Sequence, residues 1–66
     1  MNENEIQTNS EIIIHILKKK GEMNYKELKI LTKIPLKKFY ITLGWLLKEN
    51  KIKIFGNNIK STELAE

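Results

Sequence analysis

Lysine carries most of the chemistry this sequence can offer. The chain holds twelve lysines and no arginine, with one histidine, eight carboxylates and no cysteine. A lysine ammonium is a compact point charge that holds phosphates or carboxylates, but it lacks the planar fork with which a guanidinium grips two acceptors at once. The charges are unevenly placed. Five of the acidic residues (Glu3, Glu5, Glu11, Glu63, Glu66) lie towards the ends, so residues 12–62 set twelve lysines against Glu22, Glu27 and Glu49 alone. That segment carries +9, where the whole chain carries +4. A body that basic attracts polyanions, nucleic acid first. A merely solvated lysine surface, in a chain also rich in Ile and Asn, would give the same count.

The remaining reactive side chains do not assemble into a catalyst. His15 stands among isoleucines with no Cys or second His near it in sequence, so no metal site is expected. Glu22 and Glu27 straddle a turn, but nothing beside them would tune a carboxylate pair, and Glu27 has a helix-capping role of its own. There is no glycine-rich phosphate loop, no nucleophile elbow and no nucleophile–base pair. Neither an enzyme nor a cofactor is expected.

Sixty-six residues suffice for one domain with a small core, and without cysteine no disulfide can reinforce it. The 41% apolar content supports a folded chain. No apolar run exceeds three residues, so no membrane partner is expected. The start, MNENEIQTNS, is acidic and polar, unlike a secretory signal, and a cytoplasmic location is expected.

Residues 1–7 read as a frayed or disordered tail and residues 8–64 as the domain. Thr8 with Glu11 fits a capping box, and Asn9 or Ser10 would serve as well. From there Ile12, Ile13, Ile16 and Leu17 recur at helical spacing, Lys18–Lys20 complement the carboxyl end, and Gly21 stops the first helix. Met23 suits a bridging β residue. Asn24 with Glu27 starts a second helix over about Tyr25 to Thr32, with Leu28 and Leu31 inward and Lys26, Lys29 and Lys33 outward. The turn Thr32-Lys33-Ile34-Pro35 breaks the second helix, and Pro35 suits the first turn of a third helix, Leu36 to about Glu49. There Phe39, Leu43, Leu46 and Asn50 form a buried stripe with Leu36 and Leu47 beside it. The opposite arc holds Lys37, Ile41, Gly44 and Lys48, with Lys38, Tyr40 and Trp45 at its margins, and should face solvent. After Lys51 the period changes to two: Ile52, Ile54 and Gly56 on one side, Lys53 and Phe55 on the other. Gly56-Asn57-Asn58 supplies a tight turn, and Ile59 to about Leu64 returns as a strand. The class is α+β, in the order α-β-α-α-β-β.

Two helices joined by a short turn, the second running directly into a hairpin, resemble a winged helix-turn-helix domain. The residues carrying the resemblance are 24-NYKELKILTKIPLKKFYITLGWLLKENKIKIF-55. More narrowly, 39-FYITLGWLLKENKI-52, with its L-G-W-L motif, is similar to a family of small prokaryotic winged-helix proteins of largely uncharacterised function. The resemblance implies three helices with a C-terminal β-hairpin wing. It also implies a place for the third helix in the major groove of double-stranded DNA, in transcriptional control or in nucleoid-associated work. Lys37, Lys38 and Lys48 would then neutralise phosphates, with Lys33 flanking them and Lys53 and Lys60 on the wing strands. Lys26 and Lys29 are weaker flanking candidates. Tyr40, Ile41 and Thr42 would reach bases or thymine methyls. The absence of arginine removes the bidentate guanine contact, so sequence-specific readout should be weak.

A different class of function fits the same helix. Tyr40, Ile41 and Trp45 would form an apolar patch for a protein partner without DNA. Trp45 is expected at the edge of the core, sealing the third helix against the wing or the first helix, with an interface anchor as the alternative. Gly44 weakens the helix, which a close approach by another backbone or by DNA would compensate. Three consecutive isoleucines in the first helix cannot all face one core, so a homodimer through the first or third helix is a further expectation. Asn57 and Asn58 are read as turn residues.

Overall fold

The computed structural model of the chain describes residues 2–62. Six elements follow in the expected order: α1 (Glu3–Lys20), β1 (Met23–Asn24), α2 (Tyr25–Thr32), α3 (Leu36–Lys48), β2 (Ile52–Phe55) and β3 (Asn58–Ser61). The strands form one antiparallel sheet in the order β1-β3-β2. This is an α+β winged helix-turn-helix, as the sequence pattern implies.

The first helix begins earlier than expected. Asn2, not Thr8, caps it: its side-chain oxygen accepts the Glu5 amide at 2.9 Å. Residues 3–7, taken from the sequence as a frayed tail, are therefore helical. The cause is tertiary, since the added turns lie beside Trp45, and Glu5 reaches Lys38 at 3.3 Å. Ser10, a possible cap by its type, is instead buried in the helix and donates to the Ile6 carbonyl at 2.6 Å. Gly21 ends α1 at φ 80, with its amide on the Leu17 carbonyl.

Asn24 caps α2 through the Lys26 amide at 2.8 Å. Of its apolar residues Leu28 points inward, but Leu31 does not and stays 48% exposed. The inward row is Leu28 and Thr32, four residues apart, and Leu31 sits about 60° from Leu28 on the side away from Thr32, roughly 100° from Thr32. Thr32 donates to the Lys29 carbonyl at 2.9 Å, which satisfies its buried hydroxyl. Lys33 closes the helix in the left-handed region at φ 58, a conformation that costs a non-glycine residue some strain. Ile34 then plugs the turn as a buried side chain. Pro35 precedes α3 rather than opening it, and its carbonyl accepts the Phe39 amide at 2.8 Å.

On α3 the buried stripe is Phe39, Thr42, Leu43 and Leu46. Asn50, expected to extend it, is exposed and adopts φ 58 where the chain turns out of the helix. Leu36 and Leu47 are exposed as well. The core joins α1 (Ile13, Leu17), α2 (Leu28), the turn (Ile34), α3 (Phe39, Leu43, Leu46) and the sheet (Met23, Ile52, Ile59). Of the isoleucine run only Ile13 is fully buried; Ile14 packs against the core and Ile12 faces outward.

The hairpin closes on Gly56 at φ 59, the first position of a two-residue loop, which suits a type II′ turn. Its register pairs Ile52 with Ser61, Lys53 with Lys60, Ile54 with Ile59 and Phe55 with Asn58. β3 ends at Ser61, short of the expected extent, since Thr62 already leaves the ladder; the rest of the expectation, to Leu64, lies outside the described residues. Two bonds fasten the loop to the body. Tyr25 donates its amide to the Asn57 carbonyl at 2.9 Å, and the Asn58 amide group donates to Glu22 Oε2 at 2.8 Å.

Candidate nucleic-acid and partner interface

The pattern that buries Phe39, Leu43 and Leu46 turns Lys37, Ile41, Gly44 and Lys48 to solvent, as one arc of α3. Among the described residues no carboxylate comes within ion-pair distance of Lys37 or Lys48. Lys38 differs. Its ammonium faces Glu5 Oε2, an oxygen shielded from solvent, in a charge contact without the alignment of a hydrogen bond. Both side chains remain nearly half exposed, so such a pair adds little stability, but it occupies a lysine assigned to phosphate.

Thr42 leaves the set of base-reading candidates. It is completely buried, and its hydroxyl donates to the Lys38 carbonyl at 2.7 Å. Helical arithmetic explains this: Thr42 lies three residues from Phe39 and four from Leu46, inside the stripe. Tyr40 and Ile41 stay about half exposed, with the Tyr40 ring tilted against Phe39 at 6.0 Å. Lys33 is exposed at the turn before α3. Lys53 and Lys60 stand directly opposite each other across the wing, both exposed on the face turned away from Ile52 and Ile59. Like charges in that register repel, so the wing carries a concentrated positive site.

Trp45 lies against the amino-terminal half of α1, between one hollow lined by Glu3, Asn4, Ile6 and Gln7 and another reaching Ile14 and His15. It is 37% exposed and does not belong to the buried cluster. The ring borders the first helix at the surface and does not extend the core, so the expected core-edge burial does not form and the exposed alternative stands. Gly44 is open: a β-carbon there would meet no atom within 4 Å. The roughly 1 kcal/mol that glycine costs inside a helix is therefore not offset by packing within the chain.

Next to Gly44 runs a groove of about 470 Å³ between α3 and the wing, lined by Tyr25, Tyr40, Leu43, Gly44, Leu47 and Ile54 among others. Tyr25 and Tyr40 also border an adjoining hollow with Lys26, Lys29, Ile30 and Leu36. The sequence pattern sets Leu36 and Leu47 beside the buried stripe and leaves Ile30 unmarked, the most exposed large apolar side chain among the described residues. The signal was present. Leu36, Tyr40, Gly44 and Leu47 recur at intervals of four, four and three, a second apolar row parallel to the buried one.

Three helices, a helix-turn-helix between α2 and α3, and a hairpin packed behind α3 define the winged helix-turn-helix class. A family model described as "Winged helix-turn-helix domain (DUF2582)" matches residues 1–63, and the chain belongs to that family. No curated protein and no solved structure matches it. Among the described residues no helix is long and apolar enough to cross a membrane, and no group of three or more His, Asp or Glu side chains could hold a metal ion.

Proposed function

We propose that this domain binds duplex DNA through α3, holding phosphates with lysine and reading little of the base sequence. The supporting observation is the bare arc. Lys37 and Lys48 stand exposed eleven residues apart, which is roughly 16 Å along a helix axis and comparable with a major groove about 12 Å wide. Lys53 and Lys60 add charge on the wing, and Lys33 adds it at the turn. Between the two arc lysines lie Ile41 and Gly44, which offer thymine methyls contact but supply no hydrogen bond. Binding of this kind releases counterions and discriminates poorly between sequences, as in chromosome-associated work or as the DNA-holding part of a transcriptional assembly.

Titration of two unrelated duplexes by fluorescence anisotropy tests this. Similar affinities are expected, with a log–log salt slope of about −3 to −4 if the two arc and two wing lysines each cover one phosphate. Reversing Lys37 and Lys48 together to Glu should weaken binding by roughly tenfold or more. No duplex binding at low salt, or none lost on that reversal, overturns it.

The exposed apolar side chains favour a second reading, a protein-docking face on α3. Tyr40, Ile41 and Trp45 are joined there by Leu36 and Leu47. Sedimentation and tryptophan fluorescence with and without duplex separate the two: a DNA-indifferent assembly that hides α3 supports docking.

A further inference from the structure

We propose that the groove between α3 and the wing is the seat of an acidic amphipathic helix from a partner protein. This deepens the protein-docking reading and rests on it.

The floor and walls are apolar. Tyr40, Leu43 and Leu47 come from one flank of α3, Ile54 from β2 and Tyr25 from the start of α2. From Tyr40 to Leu47 the groove follows two turns of helix, roughly 10 Å, enough for apolar residues at the first, fourth and eighth positions of a guest helix. Gly44 sits midway along it, with nothing of the chain over its α-carbon. A helix crossing there approaches backbone to backbone, as small residues allow wherever helices pack closely.

Charge selects the guest. Lys37 and Lys48 flank the groove along the solvent side of α3, and Lys26 and Lys29 continue the cationic border past Tyr25 and Tyr40. No carboxylate is among the described residues lining either hollow. An apolar stripe edged with Glu or Asp matches that frame. A second copy of this chain does not. A two-fold contact through the groove would bring the same lysines against themselves.

The probe is a synthetic helical peptide of about 16 residues with Leu at i, i+3 and i+7 and Glu on both flanks, titrated into the ¹⁵N-labelled chain. A Lys-for-Glu version and a scramble of the acidic peptide serve as controls. Saturable amide shifts at Tyr25, Gly44, Leu47 and Ile54 are expected with the acidic helix, weakening as salt rises, with the scramble roughly tenfold weaker or worse. Gly44→Leu puts bulk into the groove from a β-carbon that meets no atom within 4 Å. It should keep or raise the thermal midpoint yet reduce acidic-helix affinity by roughly tenfold or more.

Unchanged affinity in Gly44→Leu, or no saturable response to the acidic peptide, overturns the proposal. A stronger response to the lysine peptide, or self-association abolished by Gly44→Leu, overturns the acidic guest while leaving a docking face. Duplex DNA shifting these same amides in place of the peptide overturns the partner class and leaves the DNA reading standing. If neither peptide, duplex nor a second copy perturbs the groove, the docking reading falls with it.

Discussion

At the scale of single residues, Gly44 and Thr42 test opposite parts of α3. Gly44 faces open space, so Gly44→Ala should gain about 0.5–1 kcal/mol in urea unfolding, from helix propensity alone. Thr42 is sealed beneath the same helix. Its hydroxyl bonds a carbonyl within its own helix, and removing it strands no buried donor. Thr42→Val should therefore change stability by less than about 1 kcal/mol and leave duplex affinity untouched, read by urea melts and anisotropy. A residue type common in base readout was legible here, but its direction was not. Thr belongs to neither the apolar nor the charged pattern, and a four-residue stripe is wide enough to take it in.

At the scale of elements, the wing places stability and binding in opposition. Lys53 and Lys60 repel across the ladder, so Lys53→Glu should stabilise the hairpin by about 0.2–1 kcal/mol while weakening duplex binding, and the two changes should appear in the same sample. Duplex affinity unchanged or raised by Lys53→Glu would mean that the pair does not meet phosphate. The first helix offers a simpler case. Asn2→Ala should cost about 1 kcal/mol and speed amide exchange over the first turn of α1. Sequence periodicity located α2, α3, β2 and the start of β3 to within a residue or so, because each has a cap, a turn residue or a change of period at its end. The start of α1 was misplaced for a definite reason. Asn2–Glu5 and Thr8–Glu11 are equivalent local signals, and what separates them is the contact of the first turns with Trp45 and Lys38, more than about 100 Å of contour away but adjacent in the fold.

At the scale of the whole molecule, ten buried apolar side chains form the core of the described residues. A domain of this length has roughly 3–10 kcal/mol in hand, and removing a buried Phe ring costs about 3–5. Phe39→Ala should therefore leave the chain largely unfolded or close to its midpoint at 37 °C, visible as lost far-ultraviolet dichroism. The α+β class and the winged topology were readable from order and period. The groove was not, because it depends on which flank of α3 the hairpin covers, and one strand residue more or less of turn would change that.

The bonds from Tyr25 to Asn57 and from Asn58 to Glu22 fasten the tip of the hairpin to the start of the second helix and to the turn before β1, while the Thr62 amide closes its base on the Lys51 carbonyl. A wing held at both ends keeps a constant distance from the third helix. Whatever enters between them meets a mould already set, spends little entropy on shaping it, and is chosen by its own thickness.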